Sequence, residues 1–161
     1  MDLTARVVQL EHLMSKAAAV DAICRLKLAY AAACDAGYKP EDMRPLFTDD
    51  AVWSNERFGT FNGIDEICDF YGDVSARITW ARHFMIGHEV DVADDLETAT
   101  GQCYLFEPCA LDGEIVLLSG TYQDRYRKVG GDWFMEKVHL TLEDVGVIPG
   151  TGATVNSTSP D

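Results

Sequence analysis

The sequence predicts a single α+β domain in which helices come first and a meander of antiparallel strands follows. Three observations predict it. The chain of 161 residues suits one domain. Apolar residues recur at helical spacing through much of its first half, and long alternating runs separated by turn residues fill the second half. Helices followed by consecutive strands are typical of an α+β fold.

Three to four helices are expected before the strands. The first spans residues 1–18 and carries an apolar stripe at alternating spacings of four and three. The stripe consists of Leu3, Val7, Leu10, Met14 and Ala17. It either contacts another copy of the chain or packs on its own domain. A second helix ends near Asp35, with Gly37 as its stop. A short helix opens at Pro40, and the last helix covers residues 64–77.

Strands account for most of the remaining chain. Residues 48–50 are predicted to form a turn, after which a strand begins at 51–53 and pairs with residues 58–61 as a hairpin. Four longer strands follow at 83–92, 98–109, 114–128 and 133–143. Gly, Thr, Ser and Pro are frequent near the end. Residues 1–145 are therefore expected to form the domain, and residues 146–161 a flexible tail.

The composition restricts the classes of function. The net charge is −14, with 27 acidic and 13 basic residues, which argues against binding nucleic acid or an anionic membrane. The five cysteines form no CxxC pair, and the four histidines lack metal-ligand spacing, so no metal is expected. No phosphate-binding glycine motif is present, and no cofactor is expected. Without a membrane-length apolar run or a signal-peptide core, a cytoplasmic protein with reduced thiols is expected.

Four motifs resemble those of a known family. They are LKLAYAAACDAGY at 26–38, LFTDDAVW at 46–53, ARHFMIGHEVDV at 81–92 and GTYQDRYRKVGGDWFMEKVHL at 120–140. Their order and spacing resemble the SnoaL-like family of the nuclear-transport-factor-two-like superfamily. The resemblance implies a cone-shaped domain, in which helices wrap a strongly curved, mainly antiparallel sheet around an apolar pocket.

Within that family the sequence looks like the branch of dehydratases and dehydrochlorinases, which includes scytalone dehydratase, hexachlorocyclohexane dehydrochlorinase and bile-acid 7α-dehydratase. The resemblance implies a pocket dyad formed by His83 and Asp35. In the bile-acid enzyme a tyrosine matches Tyr30, and a pocket carboxylate aligns near Glu107. The dehydrochlorinase has a pocket arginine where this chain has Val138, which weakens that assignment but leaves the dyad intact.

The chemistry of these residue types fits proton abstraction. Histidine supplies a base with a pKa near 7, and a carboxylate on one ring nitrogen fixes the tautomer and stabilises the imidazolium. The other nitrogen is expected to face a largely apolar cavity. Without the family positions, His83 would be interpreted first as a structural histidine on a sheet. The alternative for Asp35 is a helix end that faces solvent, although a carboxylate there opposes the helix dipole. Tyr30 either donates a hydrogen bond to a substrate oxygen or packs in the core.

Further residues are expected to line the pocket. Alternation along 101–109 puts Cys103, Leu105 and Glu107 on one face, where Glu107 is either a second acid or an exposed rim residue. The predicted substrate-contacting residues are Trp53, Leu105, Glu107, Tyr122 and Val138. Of the other histidines, His88 and His139 are expected to be structural, and His12 is expected to face solvent.

The function that the sequence favours is a cofactor-independent lyase, in which Asp35, His83 and Tyr30 catalyse a dehydratase-like elimination. Its substrate would be a small hydrophobic compound, such as a steroid, a polyketide or an aromatic. An isomerase or cyclase on the same scaffold is one alternative. A non-catalytic protein is another, either a ligand-binding module or the small subunit of a ring-hydroxylating dioxygenase. A homodimer or homotrimer is expected, because the superfamily commonly pairs through its sheet face and residues 3–17 are apolar on one side.

Overall fold

The first element is a helix of 33 residues, α1 (Leu3–Asp35). The structure is a computed structural model, and it describes residues 2–152 except for the side chains of residues 149–152. The prediction of two separate helices in this region is wrong. The join between them is Ala-rich, with no Gly or Pro to interrupt the hydrogen bonding, and alanine has the lowest cost of helix formation. All residues of the apolar stripe are exposed on α1, so they do not pack on their own domain.

Two further helices and a short turn complete the helical part. They are α2 (Pro40–Met43), a 3₁₀ turn (Arg44–Leu46) and α3 (Ile64–Arg77). The inner faces of α1 and α3 contribute fully buried apolar side chains, among them Ile23 and Ile67. In the part of the chain that the structure describes, no helix has both the length and the apolar composition needed to cross a bilayer.

Seven strands form one sheet. They are β1 (Phe47–Asn55), β2 (Gly59–Asn62), β3 (Ile78–Ala81), β4 (Phe84–Val92), β5 (Thr98–Leu111), β6 (Glu114–Val129) and β7 (Asp132–Gly152). The order is β2-β1-β7-β6-β5-β3, and β4 also pairs with β5. Among the strand pairs of residues 2–152, only β1–β7 is parallel. The prediction of an α+β fold with a strongly curved, mainly antiparallel sheet is confirmed.

The strand ends differ from the prediction in two places. The turn expected at 48–50 is part of β1. The register of β1 against β7 shifts between Phe47 and Val52, so this part of the strand is irregular. Its sequence therefore resembles that of a turn. At the other end, β7 continues to Gly152, beyond the predicted start of the tail at residue 146. The long β6 provides the partner, since Leu117 pairs with Gly146. Residues 153–161 of the predicted tail lie outside the described residues.

Candidate active site

His83 and Asp35 meet where the end of α1 lies against the segment between β3 and β4. Asp35 Oδ1 is 2.9 Å from His83 Nδ1, and the backbone N–H of His83 donates to the same oxygen at 2.9 Å. On the other side, Arg82 Nη1 lies 3.4 Å from Asp35 Oδ2. A carboxylate accepts hydrogen bonds, so we assign the Nδ1 proton of His83 to this contact, which leaves Nε2 available as the base in the neutral ring.

His83 lines the cavity, and two polar groups lie beside its Nε2. Glu107 Oε2 lies 3.3 Å from this nitrogen, and the Tyr38 hydroxyl lies 3.4 Å from it. The Tyr38 hydroxyl also donates to Glu107 Oε1 at 3.2 Å. Alternation along β5 turns Glu107 to the inner face of the curled sheet, so it is a pocket residue and not an exposed rim residue.

Burial distinguishes Glu107 from an ordinary glutamate. The side chains of His83 and Glu107 are only 3% and 5% exposed. Desolvation raises the pKa of Glu107, although the His83 charge and the Tyr38 hydrogen bond oppose the rise. A carboxyl group with a raised pKa keeps its proton closer to neutral pH and can act as an acid. Glu107 is therefore suited to share a proton with Nε2 of His83.

Tyr38 is a site residue that the sequence analysis missed. It is the second residue after the C-cap of α1. Its backbone N–H donates to the Ala33 carbonyl, and the backbone N–H of Gly37 donates to the Cys34 carbonyl. These two hydrogen bonds form a Schellman motif. Both residues have positive φ, 101° at Gly37 and 57° at Tyr38. The sequence signal was the predicted stop at Gly37, because this motif turns the next side chain back toward the last helical turn.

Three tyrosines form a second polar group in the same cavity, which we call the tyrosine cluster (Tyr30, Tyr71 and Tyr122). The Tyr30 hydroxyl is 2.7 Å from that of Tyr71 and 3.4 Å from that of Tyr122, and Trp53 Nε1 donates to it at 3.3 Å. Burial raises the pKa of all three phenols. They therefore keep their protons and can offer O–H donors to a ligand.

The cavity that these groups line has a volume of about 230 Å³. Aromatic rings make much of its wall: Trp53 packs on Phe70 with ring centroids 4.6 Å apart, and Phe58 lies beside both. Apolar walls with a few convergent polar groups are typical of small-molecule sites.

The structure brings most of the predicted site residues together. Those that line the cavity are Tyr30, Trp53, His83, Glu107 and Tyr122. Asp35 contacts His83 without lining the cavity. Leu105 and Val138 also lie on the inner face, but they are buried in the main core and are not among the lining residues.

The remaining histidines lie elsewhere and have partners of their own. His139 Nδ1 is 2.8 Å from Ser54 Oγ, His88 Nε2 is 3.3 Å from the Tyr126 hydroxyl, and His12 lies 3.9 Å from Asp94. Across residues 2–152, no group of three or more His, Cys, Asp or Glu side chains could hold a metal ion.

A comparison with family models matches residues 15–139 to the SnoaL-like domain. This chain belongs to the SnoaL-like family. A search of the curated proteins found no match for this SnoaL-like chain.

Solved structures with the same fold include several whose names suggest lyases. Hexachlorocyclohexane dehydrochlorinase type 3 from Novosphingobium barchaimii is 19% identical, with a TM-score of 0.77 over 85% of this chain and 94% of its own. A candidate scytalone dehydratase from Novosphingobium aromaticivorans is 18% identical, with a TM-score of 0.76 over 92% and 99%. A candidate aromatic ring hydroxylase from the same species is 23% identical, with a TM-score of 0.73 over 79% and 91%. At these identities the similarity shows the fold that the SnoaL-like chain shares with them.

Proposed function

We propose that this SnoaL-like protein is a cofactor-independent lyase that eliminates water from a small hydrophobic carbonyl compound. The observation that carries the proposal is the placement of His83 between two carboxylates, Asp35 on Nδ1 and Glu107 near Nε2, at the wall of an aromatic cavity. Two groups that titrate in different surroundings can divide the roles of base and acid.

In the proposed mechanism, Nε2 of His83 removes a proton from a carbon next to the substrate carbonyl. Asp35 stabilises the imidazolium that forms. The electrons of the broken C–H bond move toward the carbonyl oxygen, which accepts hydrogen bonds from the tyrosine cluster. They then form the new double bond as the C–O bond to the leaving hydroxyl breaks. Glu107 protonates that hydroxyl, so water departs.

The contact between His83 and Glu107 allows the proton to return to Glu107 after the elimination. After the elimination, His83 holds one extra proton and Glu107 has lost one. The two groups are 3.3 Å apart, so the proton can return from Nε2 to Oε2 directly. The Tyr38 hydroxyl contacts both groups and holds them in this arrangement. The cycle then ends with the site in its starting state.

Two further observations support the proposal: the names of similar structures and the free cysteines. The dehydratase and dehydrochlorinase names of similar structures support a lyase, since those proteins share the fold. All five cysteines lie in the described part of the chain and none is in a disulfide, which fits a reducing cytoplasm.

The test is an elimination assay in D₂O on a panel of cyclic and aromatic β-hydroxyketones, followed by mass spectrometry. A lyase gives products that have lost one water. We expect His83→Ala to lower the rate by on the order of 10²–10⁴, and Asp35→Asn to cause a loss of similar size because the tautomer is no longer fixed. His139→Ala, a histidine outside the cavity, is the matched control and should keep the rate.

Other outcomes would overturn the lyase proposal in favour of a named alternative. Products of unchanged composition that carry deuterium at a new carbon would indicate an isomerase or cyclase. Ligand binding without turnover would indicate a binding module, and full activity in His83→Ala would show that His83 is not the base. A large partner that copurifies in fixed ratio would indicate the small subunit of a ring-hydroxylating dioxygenase.

A further inference from the structure

Lys27 is a buried lysine that the mechanism above does not use. It lies on α1 one turn before Tyr30, and its Nζ is 2.8 Å from Asp124 Oδ2, with neither side chain exposed. The Tyr126 hydroxyl donates to the same carboxylate oxygen at 2.9 Å. A buried ion pair often contributes little to stability compared with apolar residues of the same volume. We therefore infer that the charges of this pair have a role other than stabilising the fold.

The ammonium group of Lys27 lies against the tyrosine cluster. Its Nζ is 3.5 Å from the centroid of the Tyr122 ring and 4.8 Å from that of the Tyr30 ring. Among the residues described, the Asp124 carboxylate is the polar group paired with Nζ, and the two rings lie beside it. A cation on a ring face attracts the π electrons. The hydroxyl of such a ring becomes a stronger hydrogen-bond donor.

The ion pair is oriented with its positive end toward the cluster. Asp124 follows Tyr122 by two residues on β6, about 7 Å further along the strand, whereas Lys27 touches the Tyr122 ring. The charge acts on other neighbours as well. Burial lowers the pKa of His88, the Lys27 charge lowers it further, and Asp124 opposes both. Within the pair, the Lys27 ammonium is the charge that contacts the rings of Tyr122 and Tyr30.

We propose that Lys27 is a positioning residue that acts through the rings of Tyr30 and Tyr122 to stabilise negative charge on a ligand oxygen. This inference rests on the proposed function and specifies its substrate class. The substrate carries a ketone oxygen conjugated with the carbon that loses its proton, so that the electrons of the C–H bond can move to that oxygen. The tyrosines keep their protons throughout.

The test uses 4-nitrophenol as a probe, because its phenolate oxygen resembles an enolate oxygen and only the phenolate absorbs visible light. The apparent pKa of the bound probe is measured by absorbance at saturating protein. We expect it to be about one pH unit higher in Lys27→Met than in the wild type. Coulomb's law predicts a shift of this size for a charge about 10 Å away at an effective dielectric constant of about 20.

Two variants keep the test decisive. Lys27→Met leaves the buried Asp124 carboxylate unpaired and can unfold the protein. Lys27→Met/Asp124→Asn removes both charges and retains an acceptor for Tyr126. A smaller rise in the same direction is expected in it, because the loss of the Asp124 charge offsets part of the loss of the Lys27 charge. Lys16→Met is the matched control, since Lys16 pairs with the exposed Asp94 at 2.6 Å, and the bound probe should titrate as in the wild type.

Two results would overturn the inference: equal apparent pKa values in the wild type and the double variant, or no binding of 4-nitrophenol to the wild type. Tyr30→Phe should reduce the difference between the wild type and the double variant. The readout needs no turnover. Failure of the lyase proposal would therefore appear in the His83 variants alone, and failure of this inference in the probe titration alone.

Discussion

His83 has a carboxylate at each ring nitrogen, and the two carboxylates differ in their surroundings. Asp35 accepts the ring N–H and the backbone N–H of His83 and is also near Arg82. Glu107 is more deeply buried, and its neighbours are Tyr38 and Nε2 of His83. The first arrangement orients the ring, whereas the second leaves a proton to be shared. This difference is the physical basis for assigning the base to His83 and the acid to Glu107.

The raised pKa of Glu107 predicts how stability depends on pH. The native state keeps a proton that the unfolded chain releases once the pH exceeds the ordinary value of 4.5. Because the native state then binds more protons, the free energy of unfolding should fall from about pH 4.5 until the native pKa is passed. Glu107→Gln removes this contribution, so its free energy of unfolding should fall less over the same interval.

Urea denaturation of both proteins at several pH values between 4.5 and 7 measures this difference. Glu114→Gln, the same change at an exposed position, is the control. The change in its free energy of unfolding with pH is subtracted from that of Glu107→Gln. A wild type that gains stability relative to Glu107→Gln as the pH rises would contradict the prediction.

Among the elements, β6 and β7 form the longest pair in the sheet and include a close backbone approach. The register of this pair shifts between Ser119 and Gly120. A Cβ atom on Gly120 would overlap the Thr141 carbonyl oxygen and lie 3.2 Å from Leu140 Cδ1. The glycine therefore allows the two strands to approach at the irregularity, on the same pair that carries Tyr122 and Asp124.

Gly120→Ala should destabilise the protein by about 1–3 kcal/mol, because the added methyl group forces the strands apart. Gly146→Ala is the matched control on the same strand pair, since a Cβ there meets no atom within 4 Å. The free energies of unfolding in urea are compared. Equal stability of the two variants would show that the strands can move apart without cost.

At the scale of the whole molecule, two apolar surfaces are exposed in the part of the chain whose side chains the structure describes. One is the stripe on α1 that runs from Leu3 to Ala17. The other is a patch on the outer face of the sheet, where Phe84 pairs with Phe106 and Ile86 pairs with Tyr104. Contiguous exposed apolar patches commonly mark protein–protein contacts. The expected homodimer or homotrimer would bury one or both of them.

Size-exclusion chromatography with light scattering tests this expectation. The wild type should have the mass of a dimer or trimer at micromolar concentration. Leu10→Glu/Met14→Glu should lower the mass if the stripe forms the contact, and Tyr104→Glu/Phe106→Glu should do so if the outer face of the sheet forms it. A monomeric wild type across this range would exclude the oligomer.

The sequence by itself determined most of the order of the elements, the end of α1 near Asp35 with Gly37 as its stop, and the position of Glu107 on the same face of its strand as Cys103 and Leu105. These depend on local signals, since helical and strand periodicities, turn glycines and motif spacing are all read within a few residues. The pairing of Asp35 with His83 came from the resemblance to a family, and its catalytic role stays a prediction.

Only the tertiary structure decided which side chains share a volume. Tyr38 reaches both Glu107 and His83 because the cap of α1 turns it over the end of the sheet. Lys27 meets Asp124 because the helix crosses the inner face of β6. Such contacts join residues far apart in the chain, and they depend on the angle and depth at which a helix packs on a curved sheet. Periodicity indicates which face of an element is buried, but not which residue of another element it meets.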